Sequence, residues 1–249
     1  MSSRLVGVGM GPGDPELVTV KGVNALRAAE VVVVPVMAAS DGEDGGEPGR
    51  AESTVLHHVP REKVVRVVFA LNERSDRARR EAAWDAAGER VAALLREHGS
   101  VAFATIGDPN VYSTFTYLAQ TIAALVPGVV VETVPGITAM QDLAARSGAV
   151  LTEGTEPLTL VPVTAGSGVL KDALNGPGTV VAYKFGRRAA EVAEALRESG
   201  RLGDAVWGSA LGLPEESIRS AAELDGAPLP YLSTLIAPAR REGGRGGKL

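Results

Sequence analysis

Apolar residues fall in short blocks, set apart by glycine-rich turns and by longer amphipathic stretches. Arg4 to Gly9 is an apolar run of strand length, Pro15 to Glu30 carries Leu17, Val20, Val23 and Leu26 at helical spacing, and Val31 to Pro35 is a second apolar run. The alternation continues with Val64 to Phe69 as strand, Asp76 to Glu97 as a long helix, Ser100 to Thr105 as strand, Tyr112 to Leu125 as helix and Val129 to Val134 as strand. This order predicts a mostly parallel sheet covered by helices on both faces. After Pro135-Gly136, a helix over about Ile137 to Arg146 leads into a half with denser strand signals: Leu158 to Val163, Thr179 to Tyr183, Ala205 to Ala210, Glu216 to Ser220 and Leu232 to Ala237. Helices are expected near Val169 to Leu174 and Arg188 to Glu198, and some of the strands should pair as antiparallel hairpins. The halves divide at about 127–136. The expected organisation is an α/β domain over 1–130, a second over 131–239 with a mixed sheet, and a tail over 240–249.

Composition narrows the picture. The 249 residues are 45% hydrophobic and 22% charged, which is ordinary for a globular protein long enough to bury a sizeable core. Thirty glycines and fifteen prolines indicate many turns without reaching a low-complexity composition. The absence of cysteine excludes a disulfide framework, a thiolate nucleophile and a thiolate-bound zinc site. No metal site is expected. The longest apolar run, Val31 to Ala39, is too short to span a bilayer, and glycines at 7, 9, 11 and 13 interrupt the first apolar stretch before a signal peptide could form. The expectation is a cytoplasmic protein without membrane association. A net charge of −5 argues against a nucleic-acid partner.

Two segments differ from the rest. Residues 41–50 hold four acids, one arginine and four glycines and read as a solvated loop, with a lid over a ligand as the alternative. The last ten residues are basic and read as a frayed terminus. His57 and His58 stand side by side, an arrangement that does not put both on one helix face, and His98 ends a helix where a cation suits the dipole. Structural or surface roles are expected for all three.

The chemistry concentrates in three turns. Gly7-Val8-Gly9-Met10-Gly11-Pro12-Gly13-Asp14-Pro15 lies between a strand and a helix, but its spacing breaks the dinucleotide fingerprint: Pro12 or Asp14 stands where the third glycine belongs. Asp14 and Pro15 form a helix-start signal, and together with Glu16 they put carboxylates at the place a phosphate would need. Ile106-Gly107-Asp108-Pro109-Asn110-Val111-Tyr112 repeats the Asp-Pro theme after a later strand, and Val134-Pro135-Gly136-Ile137-Thr138-Ala139 forms a third junction. In open α/β sheets such junctions gather at the carboxyl edge, where ligands bind. A site rich in backbone groups and carboxylates, without a phosphate cradle, suits a ligand that carries positive charge.

On these residues the chain resembles the tetrapyrrole methylases of corrin biosynthesis, which use S-adenosylmethionine. The resemblance rests on Val6 to Thr19, on Gly107-Asp108-Pro109-Asn110-Val111-Tyr112-Ser113-Thr114-Phe115 and on Val134 to Ala139, and the Tyr-Ser-Thr-Phe run singles out the subgroup that methylates carbon 20 of precorrin-2 or its cobalt form. It implies a two-domain α/β fold, a mostly parallel N-terminal sheet and a mixed C-terminal one, the cofactor in the cleft between them, and a homodimer. It further implies Pro12, Ile106, Gly107, Asp108, Val111, Tyr112, Thr138, Ala139, Lys184 and Ala210 as cofactor-binding positions, with Lys184 acting through its backbone. Asp108 and Tyr112 are the candidates for a catalytic, mainly positioning, role. Leu71-Asn72-Glu73 and the glycine content of 41–50 depart from the family pattern.

Methyl transfer by direct displacement needs positioning more than acid–base chemistry, which fits a chain with three histidines and no triad pattern. A polycarboxylate substrate calls for cations, and Arg74, Arg77, Arg79, Arg80, Arg187 and Arg188 are available. The rival readings are a methylase acting at a different ring carbon or on another target, a nicotinamide-dependent oxidoreductase, and a tetrapyrrole carrier without turnover.

Overall fold

The computed structural model describes residues 3–37, 48–69, 77–164 and 166–241, with only the backbone described at 77, 79 and 80. The chain divides into two compact units, Met1–Thr138 and Ala139–Leu249.

The first unit is built on five strands, β1 (Arg4–Gly9), β2 (Val31–Val36), β3 (Val64–Val68), β4 (Ser100–Thr105) and β5 (Val130–Val134), in the order β3-β2-β4-β1-β5. Every neighbouring pair is parallel. Parallel strands need crossovers, which here are α1 (Val20–Ala28), α2 (Arg50–Leu56), α3 (Arg77–His98) and α4 (Phe115–Leu125). With both faces covered, β1 and β4 are apolar almost throughout, and alternate residues feed two cores. Leu5, Val33, Val67 and Phe103 join Val91, Leu95 and Ile122 on one face. Val6, Val8, Val32 and Val34 join Leu26 and Val55 on the other. α1 and α4 therefore leave the sheet to opposite faces. β1 crosses over β4 to reach β2, while β4 crosses over β1 to reach β5. The gap between the carboxyl ends of β1 and β4 is thus a topological switch point.

The second unit holds β6 (Leu158–Pro162), β7 (Thr179–Tyr183), β8 (Val206–Ser209), β9 (Ser217–Ser220) and β10 (Thr234–Ala237) in the order β6-β7-β10-β8-β9. β6 and β7 are parallel and the other pairs antiparallel, so this sheet is mixed. α6 (Gly168–Leu174) and α7 (Ala189–Glu198) cover one face through Leu170, Leu174, Val192 and Leu196, and α5 (Ala139–Ser147) covers the other through Leu143. Arg201, 3% exposed, directs its guanidinium at the carbonyls of Leu174, Gly178, Ala237 and Pro238 and so ties α6, β7 and β10 together.

Three elements depart from the sequence expectation. The helix expected over Pro15 to Glu30 is two pieces: a 3-10 turn over Pro15–Leu17, then α1 with Thr19 as its cap, its Oγ1 accepting from the Gly22 N–H at 3.0 Å. Asp14 accepts from the Glu16 N–H at 2.9 Å and so caps only the short turn, not α1. The helix expected from Tyr112 starts at Phe115, because Tyr112 has φ 50° and cannot take an α-helical turn. α2 was not expected, since its β-branched Thr54 and Val55 weaken helical propensity; burial of Ala51, Glu52, Thr54 and Val55 holds it. The acidic loop lies outside the described residues except for 48–50, as do Arg74 and Leu71-Asn72-Glu73. Arg240 and Arg241, assigned to the tail, are held: Arg240 donates to the Ser199 carbonyl, and Arg241 meets both oxygens of Glu156 at 3.1 and 2.8 Å. No helix among the described residues is long and apolar enough to cross a membrane.

Candidate active site

The three turns follow β1, β4 and β5, which are adjacent strands with β1 in the middle. They meet backbone to backbone. A Cβ added at Gly136 would lie 2.1 Å from the Gly107 carbonyl oxygen and 2.7 Å from the Gly9 Cα, and one added at Gly9 would lie 2.5 Å from the Gly136 nitrogen. Only glycine permits that approach. The Gly107 N–H donates to the Gly11 carbonyl at 2.7 Å, and the Met10 N–H to the Thr105 carbonyl at 2.8 Å. Gly107 itself has φ 70°, and a Cβ on it would meet nothing within 4 Å, so the second turn faces open space.

Asp108 locks the arrangement. Its Oδ1 accepts from the Asn110 N–H at 2.8 Å, and its Oδ2 accepts from the Gly136 N–H at 3.0 Å. Neither oxygen caps the following helix, α4. Instead Ser113 Oγ accepts from the Phe115 N–H at 3.1 Å and shares a hydrogen bond with Thr105 Oγ1 at 2.9 Å. The Phe115 ring fills the place of a side chain at Gly7, where a Cβ would come within 2.6 Å of it. The first turn is also held from α2 and the residues after it. Thr54 Oγ1 faces the Gly13 carbonyl at 3.4 Å, and His58 Nε2 lies 3.0 Å from the Pro15 carbonyl. His58 thus has the structural part expected of it.

Pro12, Ile106, Gly107, Asp108, Val111, Tyr112 and Thr138 therefore all lie on or beside the joined turns of the first unit; Pro12, Asp108 and Thr138 are buried. Tyr112 is 42% exposed, and burial of the rest of the residue pushes its phenol above the ordinary value of 10.0. The hydroxyl stays protonated, a donor, across neutral pH.

Ala139, Lys184 and Ala210 belong to the second unit. β7 and β8 flank β10, and Thr234 pairs with Tyr183 on one side and Gly208 on the other. Lys184 and Ala210 follow those strands and so lie at one edge of the sheet. The Lys184 N–H donates to the Ser233 carbonyl at 3.2 Å, and its Nζ stands 5.9 Å from the centre of the Tyr231 ring. Tyr183 brings α5 to the same edge, its hydroxyl accepting from the Met140 N–H at 3.3 Å. Arg188 pairs with Glu191 at 2.6 Å, while Arg187 forms no ion pair among the described residues.

One backbone feature unites the two groups. The non-glycine residues with positive φ among the described residues are Tyr112 at 50°, Lys184 at 58° and Ala210 at 51°. All three are among the positions the resemblance implies for the cofactor. A side chain held in this region costs about 1–2 kcal/mol, and such strain gathers at functional sites. Sequence reasoning did not foresee the strain, because no residue type marks it. It also missed the supporting roles of Thr54, Ser113 and Tyr183, which depend on tertiary contacts.

The chain matches the family described as Tetrapyrrole (Corrin/Porphyrin) Methylases over residues 4–225. It is 31% identical over 239 residues to a precorrin-2 C(20)-methyltransferase of Sinorhizobium sp, covering 96% of each chain. It is 30% identical over 239 residues to a cobalt-precorrin-2 C(20)-methyltransferase of Salmonella typhimurium, covering 95% of this chain and 96% of that one. Among solved structures, it is similar to a uroporphyrin-III C-methyltransferase of Thermus thermophilus crystallised with S-adenosylhomocysteine, with a TM-score of 0.64 and 23% identity, covering 94% of this chain and 96% of that one. With a switch-point site and a family match spanning nearly the whole sequence, the chain belongs to the tetrapyrrole methylases.

Proposed function

We propose that this protein methylates carbon 20 of precorrin-2, or of its cobalt form, with S-adenosylmethionine as donor. The observation that carries the reading is the convergence of the three glycine turns at the switch point, in a chain 31% and 30% identical to two carbon-20 enzymes. The residues present fit such a cofactor. Gly107 opens space where a side chain would stand, and Asp108 holds a buried carboxylate beside it.

Ile106, Gly107, Asp108, Val111, Thr138 and Ala139 hold the methionine part, with Pro12 shaping the first turn; Lys184 and Ala210 contribute through their strained backbones. When bound, S-adenosylmethionine supplies an electrophilic methyl group on a sulfonium. The protein's contribution is alignment. Asp108 acts by fixing two turns to each other, and is therefore a positioning residue. Tyr112 offers a protonated hydroxyl that orients substrate by donating a hydrogen bond. Arg187 and Arg188 are the described cations for the substrate's carboxylates. The reading includes a homodimer, as the family resemblance implies, and a cytoplasmic location, as expected from the pattern of apolar runs in the sequence.

Isothermal titration with S-adenosylhomocysteine tests the cofactor assignment. The expected result is saturable binding with one site per chain and no binding of a nicotinamide dinucleotide; the opposite preference would overturn it.

A further inference from the structure

A cavity of about 350 Å³ opens at the outer edge of the first unit's sheet, lined by Glu52, Arg61, Val64, Val65, Arg66 and Arg90. It lies beside the first three residues of the terminal strand β3, with β2 between that strand and β4, β1 and β5, whose carboxyl ends carry the glycine turns. Among the described residues its charges do not balance. Three guanidiniums face one carboxylate, and that carboxylate is already taken. Glu52 is 2% exposed, and Arg66 Nε donates to its two oxygens at 3.0 and 2.9 Å. Arg61 reaches it only at 3.8 Å and is two-thirds exposed. Arg90, on α3, forms no ion pair or hydrogen bond among the described residues, and neither it nor Arg61 pairs with its chain neighbour Glu89 or Glu62.

The Glu52–Arg66 pair has a structural purpose, since it fixes α2 to β3. It leaves two guanidiniums at the rim of this open space. Val64 and Val65, both half-buried, line one side of this space. Planar guanidinium forks match the oxygens of phosphate and carboxylate groups. We propose that this cavity binds a compact oxyanion, a phosphate or a carboxylate group, between Arg61 and Arg90, with the Glu52–Arg66 pair as its fixed wall. The proposal is independent of the methyl-transfer reading.

The test is isothermal titration of the full chain, in a chloride-only buffer of low ionic strength, with inorganic phosphate in one arm and citrate in the other. One anion should bind with one site per chain; tighter phosphate binding assigns a phosphate ligand, and tighter citrate binding a carboxylate one. Arg90→Gln and Arg61→Gln should each weaken it at least tenfold, and Arg90→Glu should abolish it, while affinity for S-adenosylhomocysteine stays within twofold of the parent. Both substituted residues are exposed, so circular dichroism should be unchanged. Failure of both anions to bind at millimolar concentration, or binding that survives both glutamine substitutions, would overturn the proposal.

Discussion

At the scale of single residues, Asp108 shows how one carboxylate can organise a site without doing chemistry. Its oxygens each accept a backbone N–H, one from its own turn and one from the turn after β5. Asp108→Asn preserves size but sets an NH₂ against one of those donors. We expect a loss of about 1–3 kcal/mol in unfolding free energy, with S-adenosylhomocysteine binding weakened roughly tenfold; denaturant melts and calorimetry that show no change in either would reject the positioning role. Lys184 makes a different point. At φ 58° its side chain is a burden, so Lys184→Gly should keep or raise thermal stability, whereas Lys184→Val should lower it by about 2 kcal/mol or more. Equal effects of the two substitutions would mean that the left-handed backbone is not strained. Tyr112 supplies a pH prediction. Its folded-state phenol titrates above the unfolded value of about 10, so its contribution to stability is fully present below pH 10 and lost as pH rises through the folded value. Difference absorbance between the parent and Tyr112→Phe should therefore show the Tyr112 phenol less than half ionised at pH 10, and a phenol that titrates near 9 would contradict this.

At the scale of elements, strand ends matter more than strand interiors. β1, β4 and β7 coincide with apolar runs visible in the sequence, because buried parallel or central strands are written as unbroken hydrophobic blocks. The turns after β4 and β5 were legible too, through Gly107, Asp108 and Gly136. Their mutual contact was not: nothing local says that Gly9 and Gly136 touch, since that depends on β5 docking beside β1. For the same reason the sequence could not reveal that Asp108 bonds across 28 residues, or that α2 and the His58 after it hold Gly13 and Pro15. The break between Leu17 and Val20 was obscured by apolar residues that keep helical spacing across it. The close packing gives a sharp test. Gly136→Ala should lower stability by about 1–3 kcal/mol through overpacking and reduce cofactor-analogue binding, while Gly168→Ala, where a Cβ meets nothing within 4 Å, should be nearly neutral in both assays. Matching effects at the two glycines would mean that the turns are not in contact.

At the scale of the whole molecule, two sheets of different construction carry the candidate residues. The first is wholly parallel and presents its switch point; the second is mixed and presents the ends of β7 and β8 around β10. Each has its own cores, and the second depends on Arg201. Because this guanidinium meets four carbonyls, three of them in buried contacts, without a carboxylate, Arg201→Met should cost more than about 3 kcal/mol and speed hydrogen exchange at β7 and β10 amides. Unchanged protection there would show that the carbonyls find other donors. Such a scaffold suits a reaction in which alignment dominates, and the decisive question is where the methyl group goes. Incubating the protein with precorrin-2 and S-adenosylmethionine labelled with ¹³C in its methyl group, followed by NMR of the product, answers it. A single new labelled methyl on carbon 20 is the predicted result; a labelled methyl on any other ring carbon, or none at all, would contradict the account.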